Sequence, residues 1–247
     1  MKKAGSYSCV FLVCLVILVS SAWPSQHHSI FGELLVKYNQ DGHVNYAGFK
    51  REEARLDAYL EILSKTDPDS LASEERFAFY VNTYNAWTIK LILTGYPGLD
   101  SIKSLGSLFK SPWKKKFVKL GEDVITLDHI EHDILRPEFK DPRVHFAVNC
   151  ASKGCPPLQP EPFVGSRLDL QLNAATQQFV NDPRFNRLEG ATLYVSSIFK
   201  WFREDFNDDI IGFFEQYASE GLKKKIIARK SSLKIKYLEY DWSLNGN

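Results

Sequence analysis

Cys150 and Cys155 are the side chains in this sequence best suited to covalent chemistry, with four residues between them and close behind His145. A thiol becomes a nucleophile only where a neighbouring base or positive charge favours the thiolate. The intervening Ser152-Lys153-Gly154 supplies one cation and a flexible backbone. The alternation of Val144 to Cys150 predicts a strand, and its period of two places His145, Ala147 and Asn149 on one side and Val144, Phe146, Val148 and Cys150 on the other. His145 and Cys150 are therefore not expected to form a same-face dyad. Either His145 meets Cys155 as the loop folds back, or Cys150 takes its base from another element such as His132.

Glu131 and His132 fall on a helix expected from Leu127 to Leu135, capped by Thr126 and halted before Pro137. Leu127, Ile130 and Ile134 share its apolar face; Glu131 lies beside that face, while His129, His132 and Arg136 point away. A carboxylate so placed is paired, turned to solvent, or held with a raised pKa for proton transfer. Asn82 and Asn85 lie on the longest expected helix, which starts at Ser73 as N-cap and ends near Gly95. Each amide either clamps neighbouring backbone or donates into a pocket. No Gly-rich phosphate loop, G-x-S-x-G elbow or H-E-x-x-H helix is present, and no matched second pair of ligands follows the cysteines. No cofactor and no metal site are therefore assigned. His27, His28 and His43 read as surface residues.

These side chains must be positioned by interspersed helices and strands. Helices are expected at Ile30 to Tyr38, Arg51 to Leu63, Ser166 to Phe179, Trp201 to Phe206 and Ile210 to Tyr217. A hairpin is expected from Phe117 to Thr126, with further strands at Thr192 to Val195 and Leu233 to Tyr240. Without regular strand-helix alternation, repeat or linker, this describes an α+β fold: one compact domain, residues 23–247, with a buried central helix and a small, mostly antiparallel or mixed sheet.

The N-terminus orders Lys2 and Lys3, an apolar run from Val10 to Val19, and small residues up to Ala22, which predicts a signal peptide over residues 1–22 and a periplasmic or secreted protein. The run is short for a membrane span, so no stable anchor is expected after cleavage. Cleavage removes Cys9 and Cys14, leaving Cys150 and Cys155 as a candidate disulfide of an oxidising compartment. The net charge of +1 becomes −1 without the two leader lysines. That balance provides no general attraction for nucleic acid. The runs Lys114 to Lys116 and Lys223 to Lys225 read as solvated faces.

The ordered motifs Phe79-Tyr80-Val81-Asn82-Thr83-Tyr84-Asn85-Ala86, Ile130-Glu131-His132, Val144 to Ser152, Gly154-Cys155-Pro156-Pro157-Leu158 and Ser197 to Phe202 resemble the domain of unknown function 547 family, as does the closing Tyr240 to Asn245. The resemblance implies that Asn82, Tyr84, Asn85, Glu131, His132, His145, Cys150, Cys155 and Trp201 belong to a shared pattern. Relatives in cytosolic proteins imply that the cysteine pair is more than a staple for export. Three functions are compatible with these residues. The leading one is a thiol-dependent hydrolase or acyl transferase with Cys150 or Cys155 reactive, His132 or His145 as base, Glu131 as orienter, and Asn82, Tyr84, Asn85 and Trp201 lining a site for a small molecule or peptide. The others are a thiol-disulfide redox protein and a non-catalytic binding module that uses the aromatic surface at Trp201, Phe202 and Phe206, stapled by a disulfide.

Overall fold

The computed structural model describes residues 27–107 and 110–246. The expected signal peptide lies outside the described residues. A helix with apolar or amide side chains on every side has to be central, and α4 (Ser73–Leu93) is buried continuously from Phe77 to Ile89. Around it pack α1 (Ser29–Tyr38), α2 (Tyr46–Arg51) and α3 (Glu53–Lys65). Between α1 and α2 lies a minimal hairpin of β1 (Asn39–Gln40) and β2 (His43–Val44). Its turn, Asp41-Gly42, takes positive φ at both residues, 50° and 84°, as a type I′ turn requires. The helix expected over Arg51 to Leu63 is α3, and the short α2 before it was not expected; α2 is capped by the Asn45 side chain accepting from the Gly48 N–H. Ser73 is the first residue of α4 rather than its cap; Ala72 occupies that position and makes no side-chain hydrogen bond.

The hairpin β3 (Val118–Leu120) and β4 (Asp123–Ile125) forms as expected. Thr126 then caps α5 by accepting from the His129 N–H at 2.9 Å. This helix runs over residues 127–139 and does not stop before Pro137. It opens as α-helix at Leu127–His129, widens to a π-helix at Ile130–Leu135, and closes as α-helix at Arg136–Phe139. The Arg136 N–H bonds the Glu131 carbonyl, five residues back. The wide turn shifts the carbonyl ladder, so the missing donor of Pro137 interrupts it less than in a regular α-helix.

The segment expected as a strand from Val144 contains instead a one-turn helix, α6 (Val144–Ala147), followed by extended backbone. The Asp141 carboxylate accepts from the Arg143 N–H, and the Asp141 and Pro142 carbonyls accept from the next N–H groups. Period two was uninformative because Val144, His145, Phe146 and Ala147 are all buried.

Helix α7 (Leu168–Val180) leads to a three-stranded mixed sheet. β5 (Arg187–Glu189) pairs antiparallel with β6 (Thr192–Val195), and β6 pairs parallel with β7 (Lys234–Tyr237). The short α8 (Ile198–Trp201), α9 (Ile210–Tyr217) and α10 (Glu220–Ile227) fill the crossover. β5 and α10 had no clear sequence signal. The architecture is thus mixed helix and small sheets with a buried central helix.

Buried apolar side chains form two clusters. One surrounds α4; the other is rich in phenylalanine and is built from α7, β6, α8 and α9. Helix α6 bridges them: Phe146 enters the second cluster while Val144 and Ala147 enter the first. The residues after Tyr240 return to the first half. The Leu244 N–H bonds the Asp100 carbonyl, the Asn245 N–H bonds that of Ala151, and the Tyr46 hydroxyl donates to Asn245 Oδ1 at 2.7 Å.

Candidate functional site

Asn85 prepares the segment that carries the cysteines. Its Nδ2 donates to the Ala147 carbonyl at 2.9 Å and its Oδ1 accepts from the Asn149 N–H at 2.8 Å. The amide thus serves both backbone groups of a chain leaving a helix with no strand partner, the pairing that burial demands. Asn82 treats Phe163 identically, donating to its carbonyl and accepting from its N–H. Neither asparagine lines the cavity described below.

Asn149 closes the loop that follows. Its Nδ2 bonds the Pro156 carbonyl and its Oδ1 accepts from the Ala151 N–H. Ala151 is held at φ 62°, a left-handed conformation that costs a non-glycine residue of order 1 kcal/mol or more. This tight loop folds Cys155 back so that its Sγ lies 2.9 Å from the Cys150 backbone nitrogen. Gly154 permits the closure: a Cβ there would come within 2.9 Å of the Asp241 nitrogen and 3.0 Å of the Tyr240 ring.

Both cysteines are free thiols. Cys150 Sγ lies 3.1 Å from Ser152 Oγ and 3.2 Å from the Tyr240 hydroxyl. A hydrogen bond from the Cys155 thiol, aided by those hydroxyls and a backbone N–H, outweighs burial and pulls the Cys150 thiol down to about 7. Cys155 moves the other way: burial and the neighbouring sulfur push it well above its usual range. One sulfur is thus prepared to be a thiolate and the other to remain a thiol.

Cys150 faces a cavity of about 200 Å³ whose walls include Glu131, His132 and His145. His145 and Cys150, which strand alternation would place on opposite faces, instead line one cavity, because the helical turn of α6 replaces that alternation. His132 also faces it, contrary to the helical-wheel expectation, since the π turn breaks the 100° phase on which that wheel relied.

The histidines differ in what holds them. His145 is buried, stacks on Phe202 with ring centroids 4.0 Å apart, and places Nε2 2.6 Å from Asp205 Oδ2. Burial would raise the Asp205 carboxyl, but hydrogen bonds from His145 and Arg136 hold it well below the usual carboxylate range. An ionised Asp205 puts the ring proton on Nε2. His145 Nδ1, with no hydrogen-bond partner among the described residues, is then left as the basic nitrogen. In His132 the assignment is reversed: Arg136 donates to Nδ1 at 3.1 Å, so the lone pair is already engaged and Nε2 carries the proton. Glu131 holds neither imidazole; it interacts with the hydroxyl of Tyr84, whose pKa is raised well above the ordinary value by burial and then by this carboxylate.

Asp205 was missed in the sequence because it lies sixty positions beyond His145, in a one-turn 3₁₀ helix without periodic pattern. Tyr240, Trp113 and Trp242 were likewise not expected in the site. His28 also departs from expectation: it is buried, with Nδ1 2.7 Å from the Tyr59 hydroxyl and Nε2 facing the Asn82 amide. A second groove of about 400 Å³ lies beside the loop and shares Cys155 and Tyr240 with the cavity. No group of three or more His, Cys, Asp or Glu side chains among the described residues is arranged to hold a metal ion.

Fold and site together define a protein of mixed helix and small sheets with a thiol and an aspartate-held imidazole on the wall of an aromatic cavity. Residues 68–180 match the model of the family described as protein of unknown function, DUF547. That segment belongs to this family, in agreement with the motif resemblance. It contains Asn82, Asn85, Glu131, His132, His145 and both cysteines, whereas Trp201, Asp205 and Tyr240 lie beyond it. No curated protein and no solved structure matches the chain.

Proposed function

We propose that this protein is a thiol-dependent acyl transferase or hydrolase in which Cys150 is the nucleophile, His145 the base and Asp205 the residue that orients it. The observation carrying this reading is the pairing of a cavity-facing thiol lowered to about 7 with an imidazole whose Nε2 is held by Asp205. A thiolate near half ionisation at neutral pH combines availability with nucleophilicity.

In this scheme the Cys150 thiol passes its proton to His145 Nδ1, and Sγ adds to the acyl carbon. The leaving alkoxide, amine or thiolate then takes that proton from His145, producing an acyl-thioester at Cys150. Water or a second nucleophile, deprotonated by His145, attacks the thioester carbonyl. Cys150 leaves as thiolate, takes back the proton that His145 drew from the attacking group, and the site is restored. The Tyr240 hydroxyl, beside Sγ, is the candidate donor to the carbonyl oxygen as it gains charge. Asn85 serves by fixing the loop, and Asn82 by holding the Phe163 backbone, rather than by touching substrate.

Incubation with a p-nitrophenyl acyl ester tests the scheme: one acyl group should map to Cys150, with none retained by Cys150→Ala. His145→Ala should slow acylation by about 10²–10⁴-fold. Acylation at Cys155, or an unchanged rate in His145→Ala, would refute the assignment.

The opposite displacement of the two thiols also supports a second reading, thiol-disulfide exchange with Cys150 attacking and Cys155 resolving. Here Cys155→Ser should trap a mixed disulfide at Cys150. A Cys150-Cys155 potential below about −300 mV would identify the bond as structural. Export remains part of the proposal and predicts a mature N-terminus at Trp23, checked by N-terminal sequencing of the extracytoplasmic fraction.

A further inference from the structure

Beyond its thiol, the cavity has a wall composition that nucleophilic chemistry does not require. Trp201, Tyr240 and Trp242 line it as one aromatic group, with ring centroids 4.8 Å apart for Trp201 and Tyr240, 4.5 Å for Tyr240 and Trp242, and 5.7 Å for Trp201 and Trp242. Trp113 meets Trp242 edge-on at 5.9 Å. Trp201 is 46% exposed, a large apolar surface left in water at the cavity.

The same cavity is also lined by Asp128 and Glu131. Glu131 has no cationic partner among the described residues and interacts instead with the Tyr84 hydroxyl. Asp128 lies 3.8 Å from His132 Nε2. Arg136 is spent on Asp205 and Glu204 at 2.6 and 2.8 Å. His145 is committed to Asp205. Lys114 to Lys116, next to Trp113 in the chain, are exposed and do not line the cavity. One ring of the group already meets a cation: Lys103 Nζ sits 3.6 Å from the Trp242 ring centroid.

Aromatic rings lining a small space together with a carboxylate that has no cationic partner attract an organic cation, because the ring quadrupoles and the carboxylate act on one positive charge without demanding directional hydrogen bonds. We infer that this cavity binds a small alkylammonium group, such as a trimethylammonium, and that substrates carry that group a few bonds from the carbon attacked by Cys150. The binding claim stands on the cavity walls; only the position of the reacting carbon rests on the function proposed above.

The test uses choline, its neutral isostere 3,3-dimethyl-1-butanol and the anion 3,3-dimethylbutyrate as probes, with calorimetry and tryptophan fluorescence on the unmodified protein. Choline should bind saturably and about tenfold more tightly than the neutral isostere, with the anion weakest. Glu131→Gln should remove most of that preference while leaving the neutral probe within about twofold, and Trp201→Ala, at an exposed position, should weaken choline by about tenfold. Equal affinity for choline and the alcohol, tighter binding of the anion, or no saturable binding of choline would overturn the inference. Cation preference without acylation of Cys150 would overturn the proposed function alone, and acylation without cation preference would overturn this inference alone.

Discussion

A cysteine with an ordinary pKa is mostly protonated at neutral pH, so the value of Cys150 as a nucleophile depends on what stabilises its anion. Three side chains do so here, and the Cys155 thiol contributes most. The iodoacetamide rate at Cys150 should therefore rise with pH and inflect near 7, while Cys155, buried and shifted upward, stays unlabelled in the folded protein. Cys155→Ala should move that inflection to higher pH, as mass mapping across a pH series would read. Asp205→Asn tests the other partner. It removes the charge that holds the proton on His145 Nε2, so acylation should slow by about 10²–10⁴-fold. His28 makes a separate prediction. Burial, and then His27, lower its pKa to about 4, so the folded state resists a proton that the unfolded chain accepts below about 6.5. Its contribution is complete above about pH 6.5 and is lost as pH falls towards 4, up to roughly 3 kcal/mol. Urea midpoints across that range should fall in the wild type and flatten in His28→Gln.

The elements bearing these residues were legible where burial is one-sided and obscure where it is complete. α1, the β3-β4 hairpin, α7 and β6 follow their periodicity because each has a wet face. Val144 to Ala147 has none, and there alternation is an accident of composition. The π turn of α5 is also invisible to a helical wheel, since it changes the period the wheel assumes. Asn85 is the element-scale device that compensates, standing in for a missing strand partner of residues 147–149. Asn85→Ala leaves a buried carbonyl and a buried N–H without partners. The expected cost is about 3 kcal/mol, measured by urea unfolding, with Cys150 alkylation losing its low-pH inflection as the loop loosens.

Across the whole molecule, the cavity exists because two hydrophobic clusters and a returning C-terminus meet at one loop. Residues up to Pro156 supply the sulfurs and histidines, residues 198–206 supply the aromatic wall and Asp205, and the tail supplies Tyr240 and Trp242. Deleting residues 240–247 removes two cavity walls and the bonds made by Leu244 and Asn245. The expected outcome is a loss of several kcal/mol, about 1 kcal/mol per bond plus buried apolar area, and a Cys150 that titrates like a free thiol. Thermal unfolding and the alkylation profile check both. The sequence by itself identified the two cysteines, the amides of α4, the Glu131-His132 pair and His145, because type and local spacing are chain-neighbour properties. Only the tertiary structure decided that His145 shares a cavity with Cys150, that Asp205 rather than Glu131 grips a histidine, and that the amides hold backbone. The first follows from a helical turn that complete burial hides from any periodicity, and the other two are contacts between residues far apart in sequence, set by how buried surfaces close on one another.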